Sequence, residues 1–331
     1  MALLIERDQI GVREDLSSLI ANVDARSTPL LSRIKSGDAP GNTKLEWQVD
    51  NYPSVGITGI VDESEAGAFE NFGTRAVMHN YVQIFERKPQ ISRLADTVSD
   101  VAGLGKKEMA NQIAKGLTMQ KRDIEARFCS DHDAQVGTSS VGYETRGLGH
   151  FIDPTTTATV ATTPVGYVPS GYTLNAAGQV DETTTLANVD DDIIRNILEG
   201  IWNNTGIPGT FVGLCGSAIK KKISDLTSFV NSAEVNINVT DSKVSQMVDI
   251  IDGDFGVVEL HLSSFLEVDG SMAGNPNCLL VLDMDKLEAR YARRPSFRAL
   301  EDGGAGPRGL IESIVGLVCT NPLGFGKLVA A

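Results

Sequence analysis

The sequence predicts an α+β protein, and three features of its 331 residues carry that prediction. A strand with two unlike faces runs through residues 43–50 and is answered by a β-rich run at 75–87. One long amphipathic helix covers residues 106–128. Beyond residue 190, helix-spaced and strand-like segments alternate and close on turns that pair strands antiparallel.

Taken in order, residues 12–25 place Val12, Leu16, Leu19, Ile20 and Val23 on one stripe, a helix that Pro29 stops. Residues 36–41 form a turn-rich joint. From Thr43 to Asp50 the alternation puts Thr43, Leu45, Trp47 and Val49 on one face and Lys44, Glu46, Gln48 and Asp50 on the other. The return run from Arg75 to Arg87 reads as one strand, and the connection is far too long for a tight turn. A two-stranded ribbon is marginal in water, so this one calls for a covering surface, for which another copy of the chain is the best supplier. Its tip is flexible and acidic, with Asp62, Glu63, Glu65 and Glu70 among glycines and no Lys or Arg from Val49 to Thr74.

The 106–128 helix aligns Ala110, Ile113, Leu117, Ile124 and Phe128, keeps most of its lysines off that stripe, and forms a rod of roughly 35 Å. Residues 154–180 carry no charge and are rich in Thr, Pro and Gly, the composition of an exposed insertion or of edge strands. Asp190 to Asp192 cap a helix with Ile193, Ile194, Ile197, Leu198, Ile201 and Trp202 at helical spacing. A Gly/Pro turn at 206–209, a strand at 210–215, a helix opened by Ser217, two strands flanking Asp252–Asp254 and an apolar run at 278–282 follow. The tail from 310 to 329 alternates short strand-like runs with turn residues.

Composition excludes several classes. Apolar content of 41% with 22% charged residues is that of a folded protein, and no run approaches a membrane-spanning length. The start lacks a signal-peptide pattern, so synthesis in a cytoplasm is expected. Cys129, Cys215, Cys278 and Cys319 lie far apart, which predicts buried thiols and neither disulfides nor a zinc ribbon. A net charge of −14 argues against a protein that coats nucleic acid with its whole surface. The imbalance is segregated, because residues 86–127 carry nine Lys/Arg against six Asp/Glu and residues 286–298 five against one. Such segregation favours attraction between copies at chosen places.

No constellation for catalysis emerges. Asp254, Phe255 and Gly256 spell a kinase triplet without its companions, and Asp252-Gly253 before them read as a turn. Residues 103–107 (GLGKK) lack phosphate-loop spacing. Asp131, His132 and Asp133 point in different directions after a helix end, and the four histidines are scattered. No cofactor or metal is predicted, and the chain does not read as an enzyme.

The order of parts resembles the tailed-bacteriophage major capsid proteins of the Hong Kong 97-like (Johnson) fold. The resemblance is carried by residues 13–34 (REDLSSLIANVDARSTPLLSRI), 45–50 (LEWQVD), 120–128 (QKRDIEARF), 146–152 (RGLGHFI), 252–261 (DGDFGVVELH) and 311–330 (IESIVGLVCTNPLGFGKLVA). It implies an N-terminal arm at 1–46, a two-stranded E-loop at 47–90, and a spine helix with part of a peripheral domain at 91–140. It further implies an insertion at 141–189, an axial domain at 190–300 and a return to the peripheral domain at 301–331. A structural role follows, in which hexamers and pentamers tile an icosahedral virion head around double-stranded DNA, with portal, scaffold or decoration proteins as partners. Because the arm begins within a dozen residues of Met1, a separate scaffold or none is implied. A cargo-loading, encapsulin-like nanocompartment is the rival on the same fold, and a soluble enzyme with an unfamiliar site the rival from another class.

Within that frame the E-loop tip, through Glu63, Glu65 and Glu70, is expected over a neighbour's Lys106, Lys107, Lys121 and Arg122. The second basic cluster, Arg290, Arg293, Arg294 and Arg298, is expected to meet an adjacent axial domain or the genome.

Overall fold

The computed structural model describes residues 26–50, 75–98, 108–153, 164–170, 185–226, 248–266, 276–302 and 304–331. The predicted 12–25 helix and the acidic ribbon tip lie outside them. Among the described residues there are two sheets of four and five strands, a two-stranded ribbon and five helices, and the buried residues gather in two main clusters that meet across the five-stranded sheet. In chain order the elements are β1 (Lys35–Ser36), β2 (Lys44–Val49), β3 (Ala76–Tyr81), β4 (Gln83–Arg87), α1 (Arg93–Val98), α2 (Glu108–Phe128) and α3 (Leu148–Ile152). They continue with α4 (Asp191–Thr205), β5 (Gly209–Cys215), α5 (Ser217–Asp225), β6 (Ile250–Gly253), β7 (Gly256–Leu262), β8 (Cys278–Leu282), β9 (Leu287–Leu300), β10 (Arg308–Cys319) and β11 (Gly326–Val329).

The five-stranded sheet has the order β11-β8-β5-β7-β6 and is buried on both faces. Alternation along β8 sends Leu279 and Val281 toward α4 and α5, and Cys278, Leu280 and Leu282 toward α2, α3 and β10. That double burial explains an unbroken apolar run where a one-sided strand would alternate. α4 starts as predicted, with the Asp190 side chain accepting from the Ile193 amide at 3.0 Å. It ends on Gly206 at φ 70°, which only glycine adopts freely. The Asp252–Asp254 turn joins β6 to β7 in an antiparallel hairpin, so the triplet there is structural. All four cysteines are free and buried, and burial pushes the Cys278 thiol up to about 12.

The four-stranded sheet has the order β1-β9-β10-β4 and supports α2. Its long hairpin, β9 with β10, is bulged around Ile314. β9 was not predicted, because a strand carrying four cations and Pro295 reads as a charge run. Sheet membership also departs from the expected division at residue 300. β9, inside the expected 190–300 unit, pairs with β10 in the other sheet, and β11 from the tail closes the five-stranded sheet.

Three further expectations meet the structure here. The run 75–87 is two strands, since the chain changes partner at Val82, leaving β2 for β10. The inner face of the ribbon base is covered by its own molecule. Leu45, Trp47, Val49 and Met78 face inward, Leu45 lies against Gly316 of β10, and Trp47 meets the Phe151 ring at 6.2 Å. The described piece of the uncharged stretch is not an exposed insertion. Tyr167 forms a parallel bridge to Gly326, giving its amide to Phe325 and accepting from Lys327, and its ring packs on Gly200 of α4. It therefore covers the outer edge of β11, as an edge strand would.

Candidate functional site

The chemistry-bearing residues gather around the C-terminal half of α2. Its buried face contains Ile124 and Phe128, as predicted, but Ala110 is exposed and the stripe is completed by Gln120 and Glu125. Both polar residues are fully buried and both are answered by backbone. Gln120 donates to the Phe85 carbonyl at 2.6 Å, fastening α2 to β4. Glu125 accepts the amides of Leu30 and Leu31, each at 2.7 Å, fastening α2 to the turn that leads into β1. Burial outweighs these donors and raises its carboxyl to about 7.

At the end of α2 the Asp131, His132, Asp133 triplet diverges. Asp131 takes Lys327 of β11 at 3.0 Å, Asp133 takes Arg146 at 2.8 Å and His150 at 3.3 Å, and His132 faces solvent. Burial raises the Asp131 carboxyl, whereas at Asp133 the His150 hydrogen bond and the Arg146 charge overcome burial and hold it well below the usual range. Among the described residues no group of His, Cys, Asp and Glu is arranged to hold a metal ion. These ion pairs link elements. Lys327 ties the five-stranded sheet to the ends of α2 and α3, and Arg87 with Asp123 at 2.7 Å ties β4 to α2.

Under the ribbon sits a polar hub that sequence reading missed. Asn80 is fully buried, donates to Thr145 Oγ1 at 3.0 Å and the Leu317 carbonyl at 2.6 Å, and accepts the amides of Tyr81 and Arg146. All four of its hydrogen-bonding positions are filled, where the chain switches sheets. An Asn at an inward position of an otherwise apolar face was the available signal.

Of the residues singled out for inter-subunit contact, Glu63, Glu65, Glu70, Lys106 and Lys107 lie outside the described residues. Lys121 is exposed on α2. Arg122 donates to the Arg26 carbonyl at 3.3 Å. The second cluster lies along β9, on the sheet that carries α2. There Arg290 pairs with Glu288 at 2.9 Å, Arg293 with Glu312 at 2.6 Å, and Arg294 donates to Ser36 Oγ at 2.9 Å and stacks over Tyr291; Arg298 is exposed. Several cations expected to face neighbours thus hold the chain's own strands and the root of its N-terminal arm.

The SU10 major capsid protein family matches residues 5–331 of this architecture. The chain belongs to that family. Solved relatives of the major capsid protein fold agree across the whole length. The capsid of cyanophage A-1(L) superposes with a TM-score of 0.64 at 13% identity, covering 96% of each chain. The capsid of a native GTA particle gives 0.58 at 15% identity over 98% of each, and that of Myoviridae phage XM1 gives 0.57 at 10% identity over 100% and 99%. At such identities the likeness establishes the fold, which is Hong Kong 97-like. No curated protein matches in sequence. As a phage major capsid protein the chain has a structural role in the virion head, assembled from many copies. The expectation of that family and fold from the order of parts is borne out.

Proposed function

We propose that the chain forms hexamers and pentamers that tile a closed icosahedral shell around double-stranded DNA. The family match over nearly the whole chain is the observation that carries this reading. The fold's geometry supports it: the ribbon base is seated on its own core, leaving the acidic connection between residues 50 and 75 to reach a neighbour. Closed shells need heterologous contacts whose rotation closes. In this reading Glu63, Glu65 and Glu70 set register against a neighbour's Lys106, Lys107 and Lys121, each exposed pair contributing about 0.2–1 kcal/mol, while apolar and strand contacts repeated many times supply affinity. The four-stranded sheet with α2 serves as the peripheral domain and the five-stranded sheet with α4 and α5 as the axial domain. Portal, scaffold or decoration proteins complete the particle, and synthesis is in the host cytoplasm. The role is read as structural and not catalytic, in keeping with the family match and with Glu125, Asp131 and Lys327 being engaged in contacts that link elements. The nanocompartment reading is disfavoured by the match to a phage capsid family.

Electron microscopy of the overexpressed chain tests the proposal. Closed shells of uniform size are expected. Monomers that stay monodisperse under every assembly condition would overturn it.

A further inference from the structure

The root of the N-terminal arm sits on α2 and is held there twice. Arg122 donates to the Arg26 carbonyl at 3.3 Å, and the two oxygens of buried Glu125 take the amides of Leu30 and Leu31, each at 2.7 Å. Leu30 is 1% exposed, so the root is seated in the core. The two contacts set a direction. From Arg26 to Leu31 the chain advances toward the C-terminus of α2, so it enters from the side of the helix N-terminus. Over that stretch α2 keeps a solvent face in which Ala110, Ala114, Lys115, Thr118, Met119 and Lys121 are exposed. Ala114 and Thr118 extend, at a spacing of four, the line on which Arg122 and Glu125 hold the root.

The sequence before Arg26 suits that face. Residues 12–25 carry Val12, Leu16, Leu19, Ile20 and Val23 on one helical stripe and end directly at Arg26. Their acids, Glu14, Asp15 and Asp24, outnumber one cation, Arg13. From Glu108 to Arg122, α2 carries Lys115, Lys121 and Arg122 against the single acid Glu108. The lengths match too, each stretch spanning about 20 Å as a helix. A helix of that length is marginal in water by itself and needs a surface for its apolar stripe.

We propose that residues 12–25 dock as a helix along the solvent face of α2 in their own chain, parallel to α2 between Glu108 and Arg122. The inference stands on the geometry of one chain and does not rest on the shell reading. With Arg26 level with Arg122, an equal rise per residue brings Val23 beside Thr118 and Leu16 beside Asn111. The apolar stripe then lies over Ala114 and Thr118. Asp24 falls on the Lys121 margin of that face and Asp15 on the Lys115 margin, so opposite charges meet at both edges. An arm that crossed to a sister chain would have to turn away within one residue of a carbonyl held on its own α2.

Disulfide trapping in the full-length, unassembled chain tests the proposal, and the native cysteines, all free and buried, do not compete. Two pairs are expected to close within one chain under mild oxidant: Val23→Cys with Thr118→Cys near the held carbonyl, and Leu16→Cys with Asn111→Cys at the far end. Each reads as a faster monomer band on a non-reducing gel and as a linked peptide by mass spectrometry. Val23→Cys with Lys221→Cys, on the exposed side of α5, should stay open. Links between chains would assign the face to a sister molecule's arm, and a far pair that stays open would deny the parallel alignment; either result overturns the proposal. If the variants do not fold, hydrogen exchange of the unsubstituted chain decides. Slow exchange across residues 16–25 is expected, with its loss in Ala114→Glu while α4 keeps its protection, and exchange at the rate of an unstructured peptide would overturn the proposal.

Discussion

Replacing Lys327 by Met should be among the most damaging single changes in the chain. Lys327 Nζ is fully buried, 3.0 Å from Asp131 and 3.8 Å from Asp153, whose side chains are 10% and 20% exposed. Removing the cation leaves two carboxylates close together with little water to solvate them, a change that costs about 3–5 kcal/mol. Folded domains have about 5–15 kcal/mol in total, so the loss takes a large part of the margin. The defect should also depend on pH. Burial already raises the Asp131 carboxyl, Lys327 being the main influence holding it down, and without Lys327 it rises further. A raised folded-state pKa means that the native chain takes up a proton the unfolded chain does not, so the variant regains stability as pH falls from neutrality toward the carboxylate range. Urea denaturation of the unassembled chain, followed by tryptophan emission, measures this. Lys327→Met/Asp131→Leu, which removes cation and partner together, should recover more than half of the loss. A deficit below about 1 kcal/mol at neutral pH, or one that acid does not relieve, would refute the reasoning that this pair is a buried weld between sheet and helices.

Three further outcomes are expected. Asn80→Leu strands the Arg146 and Tyr81 amides and the Leu317 carbonyl, and should lower stability by about 3 kcal/mol, read from the urea midpoint. Gly200→Ala drives a Cβ into the Tyr167 ring and should cost about 1–3 kcal/mol, with Tyr167→Ala in the same chain returning part of it as a higher melting temperature. Reversing Glu63, Glu65 and Glu70 to Lys should leave circular dichroism unchanged and abolish or misdirect shells in electron micrographs, whereas normal shells would remove the register role proposed for the tip.

Much of the fold was legible because periodicity and capping are local. Asp190 and Gly206 mark the ends of α4, the apolar run at 278–282 marks a doubly buried strand, and the 252–256 turn needs only its own residues. What escaped depends on distant partners. Nothing near Val82 announces that the chain will leave β2 for a strand more than 200 residues away. β9 hides because its cations are matched across the sheet, Arg293 by Glu312, and within the strand, Arg290 by Glu288. Glu125 reads as a solvated helix residue until the amides of Leu30 and Leu31 arrive from 95 and 94 residues away. The same reason hid the intrachain partners of the β9 cations, since a cation's partner across the fold is not written in its sequence neighbours.

The seating of the ribbon base changes the energetic argument for assembly. Had the ribbon depended on a neighbour for its inner face, every contact would have had to order both strands on docking, at about 1–2 kcal/mol per residue fixed. With Leu45 and Met78 buried and Asn80 satisfied on the chain's own core, β2 and β3 leave the body already paired and aimed. In the proposed assembly a neighbour would then meet a direction that already exists. Preorganisation of this kind lets contacts that are individually weak sum to a closed shell, because less of each is consumed by ordering. In the reading proposed above two roles are separate within one arm: the base would fix where the tip can reach, and the acidic tip would discriminate among the surfaces it reaches.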